Sequence, residues 1–80
     1  MFYAYILKSE IERFYVGSTE NLERRLNEHN SDKMRSTKNF IPWKVIHYET
    51  FQYLSEAIKR ENQIKAWKSR KTIESLIKHF

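Results

Sequence analysis

Residues 14–29 of the chain are FYVGSTENLERRLNEH, and within them a strand pattern changes into a helix pattern. Residues 14–16 are aromatic or β-branched and favour a pleated strand. Gly17 is expected to end that strand. Three polar residues then offer side-chain oxygens suited to a helix N-cap: Ser18, Thr19 and Asn21. The segment therefore predicts a strand that leads directly into a helix.

The predicted helix has two faces of different chemistry. Asn21, Arg25 and His29 recur every four residues and share one face, while Leu22 and Leu26 form a neighbouring apolar stripe. The stripe can attach the helix to a sheet. The polar face then presents a guanidinium and an imidazole.

The composition indicates a small folded protein. A chain of 80 residues buries only roughly 60% of its unfolded surface, so we expect a single domain over residues 1–80. Its 40% hydrophobic and 15% aromatic residues exclude a compositionally disordered chain. The absence of cysteine excludes disulfides, thiolate catalysis and cysteine-based zinc sites.

The sequence has no secretory signal pattern and no run of the ~20 apolar residues that a membrane-spanning helix needs. We therefore expect a soluble, cytoplasmic protein with no membrane partner.

The formal charge of +5 is concentrated in the later part of the chain. Residues 1–30 carry four Lys or Arg against five Glu, and residues 31–80 carry eleven against five acids. This asymmetry favours a polyanionic partner, nucleic acid first, although a merely solvated basic surface is the alternative. The cations expected to bind nucleic acid are Lys33, Arg35, Lys38, Lys68, Arg70 and Lys71.

Residue periodicity predicts the remaining elements. Residues 2–7 and 43–48 favour strands, the first joined to the Phe14 strand by a polar link. Residues 54–67 have the apolar spacing of a helix, and Ser69 is expected to cap a last helix. Tyrosines of the first two strands could meet across the hairpin, or they could simply be core aromatics.

Glu61 is unusual because it borders the apolar face of its predicted helix, near Ala57, Ile58 and Ile64. A carboxylate in that position must be paired, hydrogen-bonded or bound to a metal. The alternative to a functional role is an ordinary ion pair with Arg60, Lys65 or a distant arginine.

The order and spacing of several motifs resemble the GIY-YIG nuclease domain. The motifs are Tyr3-Ala4-Tyr5, Tyr15-Val16-Gly17, Arg25, His29 and the segment from Glu56 to Lys65. The chain is most similar to the small standalone members, which are related to the nuclease domain of the bacterial excision-repair subunit. The resemblance implies an α+β fold, a three-stranded antiparallel sheet flanked by three helices in the order ββαβαα.

The same resemblance implies a metal-dependent DNA endonuclease with five catalytic residues: Tyr5, Tyr15, Arg25, His29 and Glu61. A tyrosine would activate water, Arg25 would clamp the phosphate, and Glu61 would bind Mg²⁺ or Mn²⁺. One carboxylate is enough when waters and phosphate complete the coordination of the ion.

Two positions depart from the family pattern. The first motif is Tyr-Ala-Tyr, and Ser18 stands where the repair nucleases carry a lysine, so another group must do any work of that lysine. Two other classes remain open: a non-catalytic nucleic-acid-binding module with this fold, and a small interaction domain. A protein partner that supplies specificity is also expected, since no recognition domain is evident.

Overall fold

The computed structural model describes residues 1–31, 41–67 and 70–77, with only the backbone described for 70–72 and 77. A three-stranded antiparallel sheet has the strand order β2-β1-β3. The element order ββαβαα is confirmed. The strands are β1 (Phe2–Ser9), β2 (Phe14–Thr19) and β3 (Trp43–Phe51). The helices are α1 (Leu22–Asn30), α2 (Leu54–Ala66) and α3 (Arg70–Ile77).

Side-chain alternation along the strands divides the core into two layers on opposite faces of the sheet. The first layer contains Tyr5, Leu7 and Trp43, packed against α1 residues Leu22 and Leu26. The second layer joins the sheet to α2 and α3, and its members are Ile6, Val16, Ile64, Trp67, Ile73 and Leu76. Both faces of the sheet are therefore covered by helices.

Gly17 does not end the strand, so that part of the prediction was wrong. Strand β2 continues to Thr19, and Gly17 pairs with Tyr5 in the middle of the β1–β2 ladder. The helix start was predicted better, since Asn21 is the N-cap of α1. Its Oδ1 accepts a hydrogen bond of 3.0 Å from the Arg24 N–H.

An ion-pair network attaches α2 to β3. The Arg60 guanidinium donates two hydrogen bonds to Glu49, of 2.9 and 3.2 Å, and His47 lies 2.8 Å from the same carboxylate. Although burial by itself raises the pKa of Glu49, hydrogen bonds from His47 and Arg60 hold it below its ordinary value. None of the described helices is long and apolar enough to span a bilayer.

Asn30, the last residue of α1, connects the helix to the start of β3. Its side-chain Nδ2 donates to the Trp43 carbonyl oxygen over 2.9 Å, and its Oδ1 accepts the Trp43 N–H over 2.6 Å. Trp43 is only 4% exposed. Because the two bonds satisfy both backbone groups of one residue, they set the position of the C-terminal end of α1 over the sheet.

We predict that Asn30→Ala lowers the free energy of unfolding by roughly 1–3 kcal/mol, because the buried backbone N–H and C=O of Trp43 lose their side-chain partner. Urea unfolding at neutral pH measures this. Asn27→Ala is the matched control, since Asn27 is exposed on the same helix, and it should change stability by less than about 0.5 kcal/mol. Equal effects of the two substitutions would contradict the role of Asn30.

Candidate functional site

The site begins where the Tyr5 ring crosses the edge strand β2 at Gly17. A Cβ atom at position 17 would lie 2.5 Å from the Tyr5 hydroxyl and 2.7 Å from its Cζ atom. The backbone of Gly17 does not have a positive φ. The glycine is therefore required for the close approach of the phenol and has no role as a turn residue.

A cluster of aromatic side chains surrounds this contact. The Tyr5 hydroxyl lies 3.3 Å from His29 Nε2, and the Tyr15 and His29 rings are 4.5 Å apart. The ring centroids of Tyr5 and Tyr15 are 6.4 Å apart, and those of Tyr15 and Trp43 are 6.3 Å apart. Tyr5 is 1% exposed and His29 is fully buried, whereas Tyr15 is half-buried. Tyr15 is therefore the outer member of the cluster.

Burial keeps the two inner groups neutral. It raises the pKa of Tyr5 to about 12, against the opposing effect of the Arg25 guanidinium beside the hydroxyl. Burial, with the positive charge of Arg25, also lowers the pKa of His29. At neutral pH the hydrogen bond between Tyr5 and His29 therefore joins an uncharged phenol to an uncharged imidazole.

Arg25 supplies the positive charge of the cluster. Its Nη1 lies 3.4 Å from Glu28 Oε1, and about a third of its side chain is exposed. Interaction with Tyr5, and secondarily with Glu28, raises the pKa of the guanidinium despite partial burial. The buried Nε of Arg25 has no hydrogen-bond partner among the described residues. The guanidinium is thus a permanent cation between the buried phenol and solvent.

Glu61 approaches the same edge strand from α2, on the other side of the sheet. Its Oε1 accepts a hydrogen bond of 2.6 Å from Ser18 Oγ, and its Oε2 lies 2.5 Å from Lys65 Nζ. Of the three ion pairs considered for Glu61, the one with Lys65 is present, while Arg60 binds Glu49 instead. The negative charge of Glu61 contributes, as the smallest of several causes, to the raised pKa of Tyr5.

The structure places the five predicted site residues on both faces of the sheet near strand β2. Tyr5, Tyr15, Arg25 and His29 form a cluster between the sheet and α1, whereas Glu61 reaches Ser18 of β2 from the opposite face. No group of three or more His, Asp or Glu side chains gathers into a metal cage within the described part of the chain. One partly exposed carboxylate does fit Mg²⁺, because this ion retains several waters.

The residues expected to bind nucleic acid fall largely beyond what the structure describes. Lys33, Arg35, Lys38 and Lys68 lie outside the described residues. Arg70 and Lys71 begin helix α3, and their side chains are also outside the description. Their role as phosphate contacts stays a prediction.

Sequence reasoning missed two residues that support the site. Asn30 follows His29 directly, and Trp43 packs its ring 6.4 Å from the His29 ring. Neither has a motif of its own. The only sequence signal was a polar residue at a helix end and an aromatic residue at a strand start, both of which are common.

Comparisons of the sequence and of the structure with known proteins agree with one another. The family model of the GIY-YIG catalytic domain matches residues 1–74. A UPF0213 protein of Syntrophus aciditrophicus is 46% identical over 65 residues, 79% of this chain and 75% of that protein. A UPF0213 protein of Listeria welshimeri is 40% identical over 74 residues, 91% and 81% of the two chains. The solution NMR structure of a UPF0213 protein from Bacillus halodurans has a TM-score of 0.61 at 30% identity, covering 98% of this chain and 84% of that one.

We predict that Gly17→Ala destabilises the fold by roughly 1–3 kcal/mol, because the new methyl group overlaps the Tyr5 hydroxyl. The double variant Tyr5→Phe with Gly17→Ala should lose less stability than the sum of the two single variants, since the nearest overlapping atom is then absent. Chemical denaturation of the four proteins measures this coupling. Additive losses would show that the Tyr5 hydroxyl is not the atom that sets the cost of a side chain at position 17.

Proposed function

This chain belongs to the GIY-YIG catalytic domain family, and we propose that it is a divalent-cation-dependent endonuclease that hydrolyses phosphodiester bonds in DNA. The proposal rests on one observation: a tyrosine–histidine–arginine cluster and a carboxylate both lie at strand β2. A neutral, buried Tyr5–His29 pair lies beneath Tyr15 and Arg25, and the Glu61 carboxylate reaches the same strand. Metal-dependent phosphodiester hydrolysis needs a bound water, a positive charge that neutralises the phosphate and an anionic ligand for the cation.

Arg25 is proposed to bind the scissile phosphate. Its guanidinium is partly exposed, stays charged at any pH of interest and can bind two phosphate oxygens with its planar fork. Its pairing with Glu28 over 3.4 Å is long and half-exposed, so a phosphate can replace that carboxylate as its partner.

Tyr15 is proposed to hold the attacking water and, once its own hydroxyl proton has passed to solvent, to receive the proton of that water as a phenolate. Tyr5 is a poorer choice because it is 1% exposed and burial raises its pKa to about 12. A neutral Tyr5 instead positions the cluster by hydrogen bonding to His29. His29 then supports Tyr15 through the ring contact of 4.5 Å. Tyr5 and His29 are positioning residues in this scheme, since neither can touch a substrate from its buried place.

Glu61 is proposed to hold Mg²⁺ or Mn²⁺, with water and substrate phosphate as the other ligands. Its side chain is 16% exposed, and its carboxylate reaches strand β2 through its bond to Ser18. A cation bound there would withdraw charge from the phosphoryl oxygens and from the departing 3′ oxygen. The residues present fit this role with one carboxylate.

One observation favours the alternative, a nucleic-acid-binding module without turnover. Both oxygens of Glu61 already have partners, Ser18 and Lys65, as in a structural ion pair.

A protein partner that supplies specificity is also proposed. Its support is an open groove between α1 and β3 that exposes apolar parts of Tyr3, Leu22, Val45 and Tyr48.

The decisive variant is Glu61→Gln. We expect metal-dependent nicking to fall about 100-fold or more, because an amide lacks the charge that a hard cation needs. Stability should change little, since the amide oxygen can still accept the bond from Ser18. Nicking of labelled duplex, flap, junction and single-stranded DNA with Mg²⁺, Mn²⁺ or chelator, together with the melting temperature, measures both effects.

Glu23→Gln is the control, because it removes one exposed carboxylate from α1 and changes the net charge by the same amount as Glu61→Gln. It should nick at close to the wild-type rate. A Glu61→Gln protein that melts earlier but nicks normally would rule out the metal-ligand role. A wild-type protein that binds all substrates and cuts none would favour the binding module.

The six cations predicted to contact phosphates give a second test of the proposal. Replacing Lys33, Arg35 and Lys38 by Gln should weaken DNA binding and make the log–log salt slope less negative by about 0.9 for each contact removed. A second set with Lys68, Arg70 and Lys71 replaced tests the junction before and within α3 in the same way. Fluorescence anisotropy across a salt series measures the slope. An unchanged slope in both sets would refute the assignment.

A further inference from the structure

Three polar side chains meet where helix α2 passes the edge strand β2: Ser18, Glu61 and Lys65. The Ser18 hydroxyl donates to Glu61 Oε1 over 2.6 Å, and the Lys65 ammonium lies 2.5 Å from Oε2. The side chain of Glu61 is 16% exposed, whereas that of Lys65 is 50% exposed. The Glu61 carboxylate is therefore mostly buried and has two partners, and the Lys65 side chain is half-exposed to solvent.

The two partners of Glu61 differ in what they can do. Ser18 belongs to the sheet and is uncharged, so it orients the carboxylate without neutralising it. Lys65 follows Glu61 by four residues on the helix, in the order that favours an ion pair, and brings a full positive charge. Its ammonium is a compact charge on a flexible stem. It occupies Oε2, the carboxylate oxygen that Ser18 does not bind.

We propose that Lys65 is an internal counter-ion that competes with the divalent cation for Glu61 Oε2 and is displaced when the cation binds. The inference rests on the proposed function, because it takes Glu61 as the ligand of the cation. Ser18 keeps its bond to Oε1 throughout. The free protein thus has an electrically neutral Glu61–Lys65 pair in place of a charged, open ligand.

This arrangement links cation binding to substrate binding. A nucleic-acid phosphate near the site attracts the ammonium of Lys65 away from Glu61, which frees the carboxylate for the cation. By linkage, the cation bound at Glu61 frees Lys65 for the phosphate by the same factor. Weak cation binding by the free protein and stronger binding in the presence of DNA follow from the same pair.

The test is a titration of the whole chain with Mn²⁺ or Mg²⁺ without DNA, followed by the NMR amide signals of Ser18 and Glu61. In Lys65→Gln the dissociation constant for the cation should fall about two- to fivefold, the range that a half-exposed ion pair can supply. Lys59→Gln is the matched control, because Lys59 is exposed on the same helix and carries the same charge. It should shift the constant by less than about half as much as Lys65→Gln.

A double-variant cycle separates this inference from the proposed function. Glu61→Gln should remove the response to the cation in both the wild-type and the Lys65→Gln background. Binding that depends on Glu61 but is unchanged or weakened in Lys65→Gln would overturn the counter-ion role and leave the endonuclease proposal standing. Absence of any Glu61-dependent binding, with DNA or without it, would overturn both.

Discussion

The site depends on the contact between the Tyr5 ring and the bare backbone of Gly17. With a hypothetical Cβ only 2.5 Å from the phenol oxygen, any side chain at position 17 would push Tyr5 away from the edge strand. A displaced Tyr5 would weaken its hydrogen bond to His29, and His29 is the residue whose ring contacts Tyr15. One missing side chain thus makes room for a buried polar pair inside an apolar layer.

The charge of each group in the site follows from how deeply its side chain is buried. Uncharged polar groups lie inside, where burial disfavours ionisation of both Tyr5 and His29. Charged groups lie at the rim, where Arg25 and Glu61 keep contact with solvent and with a partner of opposite sign. Such an order suits a phosphodiester substrate. The buried interior sets the geometry, and the two charged groups proposed to bind phosphate and cation keep contact with solvent.

The helices on the two faces of the sheet contribute different residues to the site. Helix α1 is positioned by the bonds of Asn30 to Trp43, which place His29 and Arg25 over one face of the sheet. Helix α2 is positioned from the opposite face by Arg60 and contributes Glu61 at the edge. The site therefore lies at the boundary of two packing layers, and its integrity depends on both.

Local sequence patterns determined the order of the elements, the N-cap at Asn21 and the shared helical face of Arg25 and His29, because these depend on residues within one or two turns. Only the tertiary structure decided why residue 17 is a glycine, which tyrosine is buried and which of three cations pairs with Glu61. These features depend on contacts between distant segments, such as Ser18 with Glu61, 43 residues apart. Spacing along the chain carries no information about such distances, because packing between layers sets them.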